Sequence, residues 1–294
     1  MDVFEYGLNL LEIKSKKWTI NDSSVGIVTA ADKNVFRGLQ ALFVSVKNKI
    51  NFLCYDIGLT VEQRNWCHKN NLQLESLAFP PNLTKLNGWM SYTKPWVIAN
   101  SPFEYTIWLD TDCVVVGDLT QAELISRKRT FFVEHFLKQY PANLNYLYEQ
   151  HSVKADTKDW NYINAGVFGI HKKDIEDLIV NKWQFLINVC IQDCKIKQTC
   201  DMYWDEGSLN WSLQKDNSLD FITNNHSYNW PGDYDIIEKQ KKDQVNKILC
   251  LFAPVIYGPS LFFDKLLEQS TDKFIIHFAT GESLKKPKYF NVWN

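Results

Sequence analysis

Apolar residues in the first hundred positions fall into short unbroken runs, separated by stretches in which they recur at helical spacing. Val25-Gly26-Ile27-Val28-Thr29-Ala30 reads as a buried strand, and Asp32 and Asn34 follow as turn and N-cap residues. Phe36, Leu39, Leu42, Phe43 and Val46 then line one side of a helix. Ile50 to Tyr55 is a second buried strand, Thr60 to Asn70 a helix, and Leu72 to Leu77 a third strand. This βαβαβ alternation predicts a parallel sheet with helices on both faces. Pro80-Pro81 opens a loop, Pro95 sits in the first turn of a helix, and Ser101-Pro102 ends that helix. Tyr105-Thr106-Ile107-Trp108-Leu109 is a fourth strand and runs directly into Asp110-Thr111-Asp112. Val114-Val115-Val116 continues in extended form to Gly117-Asp118.

The second half is more mixed. Thr130 to Val133 and Ile163 to Ile170 read as strands, Lys173 to about Ile191 as a helix, and Trp204 to Gln214 as a short helix opening at Asp205. Residues 233–247 form a charged stretch with the character of a solvated helix face, and Phe274 to Phe278 form a late strand before a basic tail. Residues 1–22 have the pattern of an amphipathic helical extension, leaving 23–294 as one domain. No internal repeat or low-complexity linker interrupts the chain.

Composition narrows the function classes. The 294 residues carry a net charge of −2, which gives no sign of a general nucleic-acid binder. The chain holds 11 Trp, 13 Tyr and 18 Phe; most must be core, but flat rings also suit stacking on sugars. Seven cysteines without a CxxC pair give neither a disulfide framework nor a metal cluster, so reduced thiols and a cytoplasmic location are expected. Cys190, Cys194 and Cys200 are expected as thiols on a helix and the loop after it. The N-terminus is acidic where a signal peptide is basic, and no apolar run reaches membrane-spanning length, so neither secretion nor a transmembrane segment is expected.

The main chemical signal is Asp110-Thr111-Asp112 at the carboxyl end of an apolar strand, the edge at which open α/β sheets bind ligands. Two carboxylates on one short turn can share a hard divalent cation, which can grip a diphosphate. The plain alternative is a solvated turn with helix-capping aspartates. A second enzymatic alternative is a haloacid-dehalogenase-like phosphatase, since Asp110-Thr111-Asp112-Cys113-Val114-Val115 also fits DxDxVV; that motif, however, usually opens its domain. A third is a catalytically inactive nucleotide-sugar-binding protein. His277, at the end of its strand and ahead of Gly281 and Lys285-Lys286-Pro287, can add an imidazole ligand to such a cation, although a lone histidine is more often structural.

Six segments in order over residues 25–290 resemble the GT-A glycosyltransferases, most closely family eight, the glycogenin-like and bacterial lipooligosaccharide galactosyltransferase group. They are Val25 to Asn34, Tyr92-Thr93-Lys94, Trp108 to Val115, Asn164-Ala165-Gly166-Val167-Phe168, Trp204 to Asn210, and His277-Phe278 with Lys286-Pro287. The resemblance implies a GT-A-like single α/β domain with a mostly parallel central sheet flanked by helices. It also implies metal-dependent transfer of a sugar from a nucleoside-diphosphate sugar, a UDP-sugar, to a glycan or other hydroxyl acceptor, with retention at the anomeric carbon. Thr29, Ala30, Asp32 and Thr111 would then meet the nucleotide, and Lys94 the donor sugar or diphosphate. Asp110, Asp112 and His277 would bind Mn²⁺ or Mg²⁺, and Asn164, Ala165 and Gly166 would line the sugar pocket. Gly281 and Lys286 would contact phosphate, and Asp205 and Glu206 would stand at the reacting centre. Two departures stand out. The interval from His277 to Lys286 is longer than the family's, so Lys285 competes with Lys286. Glu206 replaces the usual Gln, either as a charge beside the reacting carbon, even a nucleophile, or as an acid suited to a helix N-terminus.

Overall fold

The computed structural model describes residues 8, 12, 17–85, 89–111, 113–115, 119–121, 130–134, 163–192, 204–213, 220–222, 230–231 and 275–277. Strand β1 (Val25–Ala31) leads through helix α1 (Phe36–Val46) to β2 (Asn51–Asp56), then through α2 (Val61–Lys69) to β3 (Gln73–Ser76). Helix α3 (Lys94–Ala99) precedes β4 (Tyr105–Leu109), and the short β5 (Cys113–Val115) follows the Asp110 turn. Beyond them lie β6 (Phe131–Glu134), β7 (Ile163–His171), a long helix α4 (172–192) and the helix α5 (Trp204–Leu213). The short strands β8 (Asp220–Ile222), β9 (Trp230–Pro231) and β10 (Ile275–His277) follow. The predicted charged stretch 233–247 and the basic tail lie outside the described residues.

Seven strands form one sheet in the order β3-β2-β1-β4-β7-β6-β8, and β5-β10-β9 form a second. In the large sheet β3, β2, β1 and β4 are parallel neighbours, and β6 is parallel to β8. β7 is antiparallel to both β4 and β6, so it alone runs against the rest of a mostly parallel sheet. The βαβαβ reading of residues 25–77 holds; β1, β2 and β4 are the apolar runs that helices must cover on both faces, while β3 at the edge of the sheet is largely exposed.

Each face has its own core. Val25, Ile27 and Ala31 of β1 join Ile107 and Leu109 of β4 against α1, whose Leu39, Leu42, Phe43 and Val46 are buried. Val28 and Trp108, out of phase by one residue, face the other way and pack with α3, α4 and α5. Local chemistry fixes the ends. Thr60 caps α2 in a reciprocal capping box with Gln63. Asp32, expected as a turn or cap residue, takes the amides of Asn34 (2.9 Å) and Val35 (3.2 Å), while Val35 itself stands at the N-cap position of α1.

Two expectations change. The N-terminal helix predicted to reach Asp22 stops short. Leu8 and Glu12 are helical, but residues 17–22 are not; Trp18 joins the core beside α1, and the Ile20 amide donates to the Lys49 carbonyl at 2.6 Å. The helix predicted from Lys173 is continuous but not uniform. α4 begins as α-helix (Lys172–Asp174), widens to π-helix (Ile175–Gln184) and returns to α-helix (Phe185–Gln192). Apolar spacing cannot separate these forms over so short a run.

Lys49, between α1 and β2, is buried; its ammonium donates to the Ser45 carbonyl (2.8 Å) and lies 5.5 Å from the centre of the Trp18 ring. Burial pulls its pKa down to about 8, against the opposing pull of Glu12. The ordinary lysine value is about 10.4, so between pH ~8 and ~10 the unfolded chain binds more protons at this position and stability rises with pH. The buried thiols of Cys54 and Cys67, which burial pushes upward, act in the opposite sense. The gain in urea-unfolding free energy from pH ~7 to ~9.5 should therefore be more positive in the wild-type chain than in Lys49→Met. Equal gains would remove Lys49 as the source.

Candidate functional site

The order of the large sheet locates the site. From β1 the chain adds β2 and β3 on one side, then returns to place β4 on the other, so the sheet reverses direction between β1 and β4. The crevice at the carboxyl ends of strands at such a reversal is where open α/β sheets bind ligands. Val28 and Trp108 are the last pair of β1 and β4 in parallel register; two residues further on, Asp110 follows the end of β4 while Ala30 is still paired with β2. Three residues expected to meet a nucleotide therefore stand next to the expected cation turn. Thr29 is wholly buried and its hydroxyl has no hydrogen-bond partner; strand alternation puts it on the α1 face, while Ala30 faces the other core. Asp32 is buried in the turn it organises, beside Gly58, whose φ of +140° is open only to glycine at little cost.

Lys94 is the centre of the site. It occupies the first position of α3, where the helix dipole disfavours a cation, and it is buried. Its ammonium meets Asp110 Oδ1 at 2.9 Å and Oδ2 at 3.0 Å, Asp205 Oδ2 at 2.6 Å, and the Ala165 carbonyl at 3.2 Å. Burial alone would pull its pKa down, but the charges of Asp110 and Asp205 outweigh burial and hold it well above the ordinary lysine value. Lys94 thus stays charged and joins three segments far apart in sequence.

The other walls are equally tied. The Asp110 amide donates to the Gly166 carbonyl (2.9 Å), extending the β4–β7 ladder past its last paired residues, Leu109 and Val167. Asp205 and Glu206 lie in the first turn of α5, where acids suit the dipole. The Ala165 amide donates to Glu206 Oε2 at 3.3 Å, so one residue of β7 receives Lys94 on its carbonyl and holds Glu206 by its N–H. Asn210 fastens α5 to β7: its side-chain amide donates to the Ile163 carbonyl (2.8 Å) and its oxygen accepts from the Ile163 amide (2.7 Å). Ser208 Oγ donates to the Asp205 carbonyl (3.1 Å) and accepts the indole N–H of Trp183 (2.8 Å).

Lys94, Asp110, Ala165, Gly166, Asp205 and Glu206 are brought together as expected from sequence. Thr111 is buried in the turn, and the backbone of Asn164 belongs to β7. Asp112, Gly281, Lys285 and Lys286 lie outside the described residues. The backbone of His277 is described: β10 runs antiparallel to β5 with His277 opposite Cys113, the residue after Asp112. The Cys113 amide closes the turn on the Asp110 carbonyl at 3.0 Å. The residue types expected as ligands from sequence, two aspartates and a histidine, are of the kind Mn²⁺ or Mg²⁺ accepts. Among the described residues no cluster of three metal-ligating side chains is formed.

Sequence reasoning missed Trp108, whose indole N–H donates to Asp110 Oδ1 at 2.8 Å. It also gave no role to Trp183, Ser208 or Asn210. The available signal was spacing: Trp108 stands two residues before Asp110, hence on the same side of the strand.

This architecture is a GT-A-like α/β fold. No known family pattern matches the chain, and no curated protein matches it in sequence. Among solved structures it is similar to an active-site glutamine-to-glutamate mutant of LgtC (TM-score 0.52, 16% identity, 86% of this chain and 87% of that one). It is similar also to the galactosyltransferase LgtC in complex with donor and acceptor sugar analogues (TM-score 0.51, 18% identity, 87% of each chain). A third is the apo-form glycosyltransferase GlyE of Streptococcus pneumoniae TIGR4 (TM-score 0.50, 15% identity, 88% of this chain and 55% of that one). No described helix is long and apolar enough to cross a membrane.

Removing one partner of a buried ion pair costs about 3 kcal/mol or more, because the remaining charge stays buried. Lys94→Met leaves the Asp110 and Asp205 carboxylates facing each other. Urea unfolding should show a loss of that order, partly restored by millimolar Mn²⁺ as the cation replaces the missing charge. Unchanged stability would show that the ammonium does not hold the site together.

Proposed function

We propose that this chain is a glycosyltransferase that moves a sugar from a nucleoside-diphosphate sugar, a UDP-sugar, to a hydroxyl of a glycan acceptor, with retention at the anomeric carbon. The observation that carries the reading is the Lys94–Asp110–Asp205 constellation at the carboxyl-end crevice between β1 and β4. The nucleoside lies over the end of β1, against Ala30 and Asp32, and the diphosphate points toward the Asp110 turn. Asp110, Asp112 and His277 would hold Mn²⁺ or Mg²⁺, which when bound would supply positive charge for a leaving diphosphate. Gly281 and Lys286 complete the phosphate contacts. Asn164, Ala165 and Gly166 form the wall along which the donor sugar lies.

The chain's own residues divide the remaining work. Lys94 is fixed between two carboxylates and cannot shed its proton at neutral pH, so it offers a permanent positive charge to the donor. Asp205 and Glu206 place negative charge where a cationic sugar develops, a distribution that favours the transition state over the neutral donor. Glu206 is oriented by the Ala165 N–H. The phosphatase alternative fits less well. The strand bearing Asp110 is fourth in the chain and follows a complete βαβαβ unit, whereas in such phosphatases it opens the domain.

Two measurements test this reading. In a thermal-shift screen of nucleotide sugars with Mn²⁺, the preferred donor should raise the melting temperature. A ligand at 100 times its Kd adds about 2.7 kcal/mol to stability. Asp110→Asn, which keeps the side-chain shape, should lose that shift together with transfer activity; a variant that retains both would refute the cation assignment.

Glu206→Gln isolates charge, because an amide oxygen can still accept from the Ala165 N–H. We expect kcat to fall by roughly tenfold with little change in donor KM, the signature of an interaction made only in the transition state. A kcat equal to wild type would reduce Glu206 to a helix-terminal acid; complete inactivity with azide rescue would make it a nucleophile.

A further inference from the structure

The two tryptophans that donate hydrogen bonds to site residues belong to one aromatic layer. Trp108 stacks on Phe168, with ring centroids 6.5 Å apart and planes at 22°; on Phe168 also rests Trp183, at 6.2 Å and 63°. All three rings are buried. A buried indole needs a partner for its N–H. Here the two N–H groups are directed to different parts of the site: Trp108 to Asp110 Oδ1, Trp183 to Ser208 Oγ on α5.

We propose that Trp108 is a positioning residue that sets the orientation in which Asp110 meets its divalent cation. The inference rests on the reading of Asp110 as a cation ligand. A carboxylate can rotate about its own bond, and a ligand left to rotate loses affinity for the metal. At Asp110 rotation is opposed from two directions. The Trp108 indole holds Oδ1, and that indole is immobilised by Phe168 and by its place on β4. Lys94 spans both oxygens, and its ammonium lies 5.8 Å from the centre of the Trp108 ring. The Lys94 contacts involve a group also shared with Asp205 and Ala165. The Trp108 contact is shared with no other described acceptor, so it is the one that can persist while Lys94 turns to a donor. Its effect is to limit rotation of the Asp110 carboxylate. Hydrogen-bond partners behind metal ligands commonly contribute a factor of 10 to 100 in affinity.

Trp108→Phe removes the N–H and keeps an apolar ring against Phe168. By calorimetry with UDP present, its Mn²⁺ affinity should be about 10- to 100-fold below that of the wild-type chain. Trp183→Phe makes the same change in the same aromatic layer but on the side of α5, and should leave Mn²⁺ affinity at the wild-type value. An unchanged affinity in Trp108→Phe, or an equal loss in both variants, overturns the proposal, the latter showing only a damaged core. Absence of Mn²⁺ binding by the wild-type chain overturns the cation reading, and this inference with it. Should Trp108→Phe not fold, wild-type chain labelled with ¹⁵N in its indoles gives the answer. Addition of Mg²⁺ and UDP should shift an indole signal that is protected from deuterium exchange, and no such shift overturns the proposal.

Discussion

One ammonium group holds the site together. Lys94 enters at the start of a helix, the end least hospitable to a cation, and is buried there. It persists because Asp110 and Asp205 are within 3 Å and the Ala165 carbonyl completes its coordination. Each partner comes from a different segment: the turn after β4, the start of α5, and β7. No single segment has an internal reason to adopt its position relative to the others, whereas the charge supplies one. The arrangement is costly in desolvation and specific in geometry, the combination expected where local stability has been exchanged for function.

Around that charge the fold is arranged in depth. The parallel strands β1 and β4 diverge in topology but lie side by side in register, which opens a crevice without breaking the sheet. Antiparallel β7 then crosses in front of the β4 exit. Its backbone serves three site residues at once: Gly166 receives the Asp110 amide, and Ala165 meets Lys94 and Glu206. Behind the polar layer stands the aromatic one, and behind that α4, whose Gln184 donates to the Pro95 carbonyl of α3 at 3.0 Å.

Much of this was readable in the sequence where local pattern and tertiary role coincide. The runs from Val25 and Tyr105 are strands because they are apolar on both faces, and the Asp110 turn follows directly from its place at a strand end. Lys94, Asp205 and Glu206 were found through family resemblance; as isolated residues they look like an ordinary lysine and two helix-starting acids. That Lys94 pairs with Asp110 and Asp205 could not be read, since the pairing joins positions far apart along the chain. Trp108 was taken only as part of an apolar approach to the turn, because burial of its ring and the direction of its N–H are separate facts and only the first follows from hydropathy. Asn34 reads as a cap in the sequence, but the N-cap position of α1 falls one residue later, on Val35, which offers no capping side chain. The helix expected to reach Asp22 gives way because Trp18 gains more by entering the core beside α1 than by extending a solvated helix.

The widened middle of α4 carries a consequence for how this chain can change. Trp183 and Gln184 are adjacent in sequence, yet one reaches α5 and the other α3, and both stand at the end of the π-helical stretch. A π turn accommodates one residue more than the α hydrogen-bond pattern allows. Loss of one residue before Trp183 can therefore be absorbed by rewinding a π turn to α, which leaves both anchors in phase with their partners. A residue lost from ordinary α-helix has no such outlet and rotates everything after the gap by about 100°. The widened turns hold chain length in reserve, so this helix tolerates shortening there without moving the two helices that flank the crevice.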